Sequence, residues 1–192
     1  MSSLDLDRLR AAFDARLPTR VPIVPPLREA AVALVLVPGD DGDVALLFIK
    51  RAVYPEDPWS GQIALPGGRR DGADPDLLTT AIRETVEETG IQLERQHVIG
   101  ELDDLSPVSP HLPPIVVRPF VFTLPAIPET RLSDEVAESL WVPRRQLLDR
   151  RTEERVIARD MSLVMPGYRV GRHFIWGMTE RIVTPFLQLT RQ

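Results

Sequence analysis

The octapeptide RETVEETG, Arg83 to Gly90, places Glu84, Glu87 and Glu88 at i, i+3 and i+4. On a helix these positions share one face, and each like-charged pair costs about 0.2–0.5 kcal/mol. Gly90 reads as the helix C-cap. Two of the three acids then lie in the last turn, where the negative end of the macrodipole disfavours anions. A chain that keeps this helix must fold so that something positive can meet the acidic face.

The flanking residues frame that helix. Asp74 is a good N-cap and Pro75 suits the first helical position. Leu78, Ala81, Ile82, Thr85 and Thr89 form an inward stripe. At 100° per residue, the three glutamates centre about 125° away from it, so the helix is expected to pack on one side and offer its acids on another. Upstream, AAVALVLV (30–37) and VALLFIKR (44–51) read as a hairpin across PGDDGD. AVYPEDPWSG (52–61) is a loop, and QIAL (62–65) is a short strand running into PGG. Downstream strands are expected at 97–102, 114–124, 137–143, 155–159 and 173–177. A short helix is expected at 144–149 and a closing helix at 178–190, kinked or divided by Pro185. Residues 3–17 have helical periodicity, and prolines at 18, 22, 25 and 26 make the next stretch a linker. A hairpin followed by one wedged helix argues for helices packed on a mixed sheet, an α+β arrangement, and against a doubly wound parallel sheet.

Composition narrows the chemistry. The 192 residues are 43% hydrophobic with net charge −5, which suits one domain and excludes a general polyanion binder. No nucleic-acid role is expected. Cysteine is absent, so thiolate metal sites, disulfides and thiol nucleophiles are excluded. No long apolar run or signal-peptide pattern appears, so a cytoplasmic protein without a membrane role is expected. Lys50 is the only lysine among 23 basic residues.

Clustered carboxylates become favourable around a hard divalent cation, because Mg²⁺ takes oxygen ligands from carboxylates and substrate phosphates. An isolated ExxEE is ordinarily a solvated acidic face. Here PGG (66–68) follows a strand and offers backbone that can approach an ion or phosphate closely. Arg83 can pair with an acid of the RRDGAD loop and fix it to the helix.

The whole run GGRRDGADPDLLTTAIRETVEETGI, Gly67 to Ile91, resembles the Nudix box, G-x5-E-x7-R-E-U-x-E-E-x-G-U, where U is bulky and apolar. Gly68, Arg83, Glu84, Glu87, Glu88, Gly90 and Ile91 fall in register with it. Asp74 replaces the early glutamate, the gap from Asp74 to Arg83 is one residue longer, and Thr85 stands at the first apolar position. The resemblance implies an α/β/α sandwich over residues 27–192, preceded by an N-terminal helix and linker over 1–26. It implies hydrolysis of a nucleoside diphosphate linked to another group. Glu84, Glu87 and Glu88 would ligate Mg²⁺ or Mn²⁺ with the Gly67 carbonyl, and Arg83 would orient the box through Asp74 or Asp71. The general base would be Glu84 or an acid outside the box. Candidates are Glu101, Asp103, Asp104, Asp134, Glu135 and Glu138, with Glu135 and Glu138 favoured.

LLFIKR followed by SGQIALPGG looks like the coenzyme A pyrophosphohydrolase branch of that family, as do LREAAVALVL, GELDDLSPVSP and FIWGMT. The implied reaction converts coenzyme A (CoA) into 3′,5′-ADP and 4′-phosphopantetheine. The branch usually carries an arginine and a histidine ahead of GQ. Here VYPEDPWSGQ has Asp57 and Trp59 instead and is one residue longer. That keeps ADP-ribose, dinucleotide or nucleotide hydrolysis open as a second reading. A third is a ligand sensor without turnover, though such modules typically lose the box acids. Gly68, Arg69, Arg70 and Trp59 are candidate substrate contacts, Trp59 more readily as a packed loop anchor. His111 reads as a loop residue, and a homodimer is a further expectation.

Overall fold

The computed structural model describes residues 3–39, 42–54, 59–107, 114–158 and 161–190. His111 and Asp57 therefore lie outside the described residues, as does much of the loop ahead of GQ.

Strand β1 (Arg28–Pro38) organises the main sheet. It runs parallel to β6 (Ile115–Thr123) along nearly its whole length. Its other edge is shared. Ala30–Val32 pair with β4 (Gly67–Arg69), and Leu36–Pro38 pair with β2 (Val44–Arg51) as the expected hairpin. β2 also carries β3 (Ile63–Ala64) at its far end and β7 (Val136–Pro143) along its opposite edge. β5 (Val98–Glu101) closes the sheet beside β6. The parallel β1–β6 pair within an otherwise antiparallel sheet gives seven mixed strands.

Alternation along β1 divides two cores. Leu34 and Leu36 face one side, with Phe48 of β2, Val121 of β6, and Ile182, Val183, Phe186 and Leu187 of the closing helix α4 (Gly177–Leu189). Leu9 and Phe13 of α1 (Ser3–Asp14) join that core. Ala31, Ala33 and Val35 face the other side against Leu77 and Ala81 of α2 (Leu77–Thr89). The small alanines let α2 settle close to the sheet. The result is the expected α/β/α sandwich, with α3 (Arg144–Leu148) short as foreseen.

A second sheet has the order β10–β9–β8, formed by β8 (Arg151–Ala158), β9 (Met161–Val170) and β10 (His173–Trp176). The sequence reading contained no β9, because Pro166 and Gly167 argue against a strand. Gly167 pairs with Trp176, and the Phe174 ring occupies the space a side chain there would need. β4 was not among the expected strands, yet its glycines pair with β1. α4 continues through Pro185 and neither divides nor ends there. α1 stops at Asp14, short of the expected residue 17. Among the described residues no helix is long and apolar enough to cross a membrane.

Candidate active site

The loop between β4 and α2 is built around Asp74. Its carboxylate is buried and accepts from the Asp71 N–H at 3.0 Å, the Thr80 hydroxyl at 2.9 Å and the Arg83 guanidinium at 3.0–3.3 Å. The Arg83 hydrogen bonds, strongest among these influences, hold its pKa down to about 2. Asp74 is therefore not the N-cap of α2. That place belongs to Asp76, which accepts from the Thr79 N–H at 2.8 Å, and the helix begins at Leu77, not Pro75. A buried ion pair with Arg83 draws Asp74 inward, which leaves the next acid to cap. Of the two partners foreseen for Arg83, Asp74 is the one it contacts.

Arg83 also reaches Glu84 at 2.9 Å, Glu87 at 2.9 Å and the Arg69 carbonyl at 3.1 Å. One guanidinium thus joins β4, the loop and the first two box acids. At the other end, Gly90 adopts φ +73°, which an L side chain rarely takes, and its N–H returns to the Val86 carbonyl. The Thr89 and Glu88 carbonyls accept from the Arg131 and Ser133 N–H groups at 2.8 and 3.0 Å. The segment ahead of β7 therefore covers the negative end of α2.

The three glutamates differ in surroundings. Glu87 is exposed, at 57% for its side chain. The Glu84 carboxylate lies against the Cα of Gly68, where a side chain would collide with it. Burial raises its pKa, Arg83 opposes this, and the charges of Glu87 and Glu135 add to the rise. Glu88 is 4% exposed and packs on the inward face of α2, contrary to the expected separation of all three acids from the packed stripe. Its Oε2 accepts from the Gly67 N–H at 2.9 Å. Burial pushes its pKa up to about 7, with Glu84 and Glu135 adding to the rise and Gly67 and Arg51 opposing it. Leu77 and Thr80 join the buried face, while Leu78 and Ile82 are only partly buried.

The outer acids separate as well. Glu135 is exposed, and its charge acts on both Glu84 and Glu88. Its backbone carbonyl accepts from the Ala52 N–H at 2.8 Å, which ties it to the end of β2. Glu138 instead accepts from Arg172 at 2.9 Å. Glu101 and Asp103 bind Arg20 and Arg16, and Asp104 binds Arg20 as well as Arg118 of β6, fastening the N-terminal segment. Asp134 is exposed, and its carbonyl accepts from the Tyr54 hydroxyl at 3.0 Å.

Among the candidate substrate contacts, Arg69 is exposed and Trp59 is half-buried. Arg70 is engaged within the fold, donating to Glu29 at 2.9 Å and to the Asp74 and Pro75 carbonyls at 2.9–3.2 Å. A guanidinium so used anchors its own loop and is not offered to a phosphate. Sequence reasoning missed this anchor and the cover given by Arg131 and Ser133. Arg51, whose positive charge acts on Glu88, was also missed.

The donor set fits a divalent cation. Hard carboxylate oxygens crowd one end of α2, and Glu84 and Glu88 both have pKa values raised by burial and by neighbouring negative charge. Among the described residues no three acidic or histidine side chains are placed to hold one metal ion. Arg83 holds Glu84 and Glu87 at its own nitrogens.

A model of the NUDIX domain matches residues 27–161. The mitochondrial coenzyme A diphosphatase NUDT8 of Homo sapiens is 32% identical over 189 residues, 95% of this chain and 75% of that protein. The uncharacterized protein C14C4.10c of Schizosaccharomyces pombe is 35% identical over 151 residues, 68% of this chain. The aligned part spans 46% of the yeast protein, just under half its length. Among solved structures, a MutT/nudix family protein from Enterococcus faecalis superposes over 95% of this chain and 71% of that one, with TM-score 0.60 and 15% identity. A box in register, its strand–loop–helix setting and a family model covering most of the sequence agree: this chain belongs to the Nudix family.

Proposed function

We propose that the chain is a divalent-metal-dependent pyrophosphohydrolase that cleaves the diphosphate of coenzyme A or its esters, giving 3′,5′-ADP and 4′-phosphopantetheine. The observation that carries the metal-dependent reaction is Glu88, a buried carboxylate facing Glu84 and Glu135 with its pKa raised to about 7. The choice of CoA is supported by the human relative named as a CoA diphosphatase.

Glu84, Glu87 and Glu88, with the Gly67 carbonyl, would hold Mg²⁺ or Mn²⁺. The bound ion would neutralise charge developing on the diphosphate and acidify a water. Arg83 positions Glu84 and Glu87 and joins them to Asp74. Gly68 leaves room for the Glu84 carboxylate against the backbone. Glu135 takes the proton from the attacking water as general base: it is exposed, while Glu84 is ion-paired with Arg83 and Glu138 with Arg172. Arg69, exposed at the end of β4, and Trp59, in the loop ahead of GQ, are the further candidate substrate contacts.

The test is hydrolysis of CoA, acetyl-CoA, ADP-ribose, NADH and deoxynucleoside triphosphates, each with and without Mg²⁺, with products identified by mass. CoA cleavage to the two named products, only with metal, is expected. Glu88→Gln should lower turnover by about 100-fold or more, and Glu135→Gln by about 10²–10⁴-fold. Cleavage of ADP-ribose but not CoA would sink the substrate assignment. Full activity in Glu88→Gln would sink the metal site.

A further inference from the structure

The second sheet ends on an open edge. In the order β10–β9–β8, strand β8 stands last, and among the described residues no strand pairs with its outer side. Its ladder with β9 runs unbroken, without a bulge, from Arg151 opposite Tyr168 to Ala158 opposite Met161. β8 reads RTEERVIA, with neither proline nor lysine. Edge strands that stay single are ordinarily kept so by shortness, by a bulge or by such residues.

The ladder fixes where the backbone groups of β8 point. The Arg169 N–H donates to the Arg150 carbonyl at 3.3 Å, one step beyond the Arg151–Tyr168 pair. Hydrogen-bonded and non-hydrogen-bonded pairs alternate along an antiparallel ladder. Thr152, Glu154 and Val156 therefore direct their N–H and C=O groups to β9, and Arg151, Glu153, Arg155 and Ile157 turn theirs outward. Pro166 agrees with this phase, since it has no N–H to give and stands opposite Glu153. Apolar side chains are exposed on both faces of the ribbon. Ile157 is 81% and Val164 57% exposed on the face of Arg155, and Leu163 is 38% exposed on the other.

A second copy fits this edge in one register. Two identical strands paired antiparallel about a two-fold axis set outward-turned residues opposite each other. Two of the possible registers oppose like charges on the axis, Glu153 to Glu153 or Arg155 to Arg155. The register between them sets Glu153 of each copy opposite Arg155 of the other, so the favourable pair occurs twice. It also sets Ile157 opposite Arg151, whose methylene stem can cover it. Glu154 then meets Glu154 on the axis, each already held by its own Arg169, whose Nε donates to it at 2.6 Å.

We propose that the outer edge of β8 is the interface of a homodimer in which two copies join their second sheets into one, with Glu153 paired to Arg155 across the two-fold axis. This surface owes nothing to the reaction proposed above, and the two stand or fall separately.

The experiment is sedimentation velocity of the full chain from micromolar to submillimolar concentration. It is run on wild type, Glu153→Arg, Arg155→Glu and the double exchange. Both side chains are exposed, so all variants should keep the wild-type far-ultraviolet circular dichroism. Wild type is expected to form a dimer that dissociates on dilution. Each single exchange should weaken it by roughly tenfold or more, because two attractive cross-strand pairs become repulsive. The double exchange puts opposite charges back in the same register and should recover the dimer. A wild-type monomer across the whole range overturns the interface. So does a dimer indifferent to the single exchanges, or a double exchange that fails to restore it.

Discussion

Glu88 is buried against β4, with the Gly67 N–H as its hydrogen-bond donor and two other carboxylates nearby. Its pKa is raised in the fold, from an ordinary 4.5 to about 7. The stability associated with its protonated form is therefore complete below pH 4.5 and is lost as pH rises through about 7. Without metal, the wild-type melting temperature should fall across that window. Glu88→Gln keeps a side-chain oxygen for Gly67 but carries no charge, so it should flatten the slope. Thermal melts in chelator from pH 4 to 8 check this, and parallel slopes for the two proteins would contradict it. Asp74 has the opposite sign. Its pKa is depressed from 3.8 to about 2, so its contribution is present above 3.8 and lost as pH falls through about 2. Asp74→Asn should lower stability near neutral pH by on the order of 2 kcal/mol, measured by denaturant titration. The glutamate spacing together with the resemblance to the Nudix box singled these residues out. Their environments were not legible, because a helical wheel treats α2 as isolated while the packing of β4 decides that Glu88 faces inward.

The helix α2 raised a problem of end effects, and its neighbours answer it. The Asp76 side chain caps the first turn, and the Arg131 and Ser133 N–H groups cover the last carbonyls. Asp76→Ala should cost about 1 kcal/mol, as lost caps do. Gly90→Ala forces an L residue to φ +73° and sets a Cβ 3.0 Å from that of Arg131. It should cost more than about 1 kcal/mol, and equilibrium unfolding of both variants checks the order. Regular amphipathic elements such as β1, β2, β6 and α2 were readable from periodicity. β4 and β9 were not, because glycine and proline signal breaks locally. Backbone approach to β1 and packing of the Phe174 ring override that signal.

Over the whole molecule, the sandwich is closed on one side by α2 and on the other by α4 and α1. The N-terminal segment takes part in this closure. Phe13 packs against Gly100 in the first core. Asp104, its side chain inaccessible, binds Arg118 at 2.8 Å, Arg20 at 3.2 Å and the Val21 N–H at 3.1 Å. Phe13→Ala should cost about 3–5 kcal/mol, as core phenylalanine truncations do. An unchanged denaturation midpoint would show that α1 is not part of the cooperative unit. The prolines of 18–26 suggested an extended linker, and sequence pattern does not show that Arg20 within it has acids waiting on β5 and the loop after it. What the fold assembles is an acidic site whose repulsion a cation should relieve. The most direct measurement is the melting temperature of wild type and Glu88→Gln at millimolar Mg²⁺ and Mn²⁺. At a hundredfold excess over Kd, a bound ion stabilises by about 2.7 kcal/mol, a rise on the order of 5 °C for a chain of this size. The account requires that rise in wild type and its loss in Glu88→Gln; a melting temperature unmoved by either metal would contradict it.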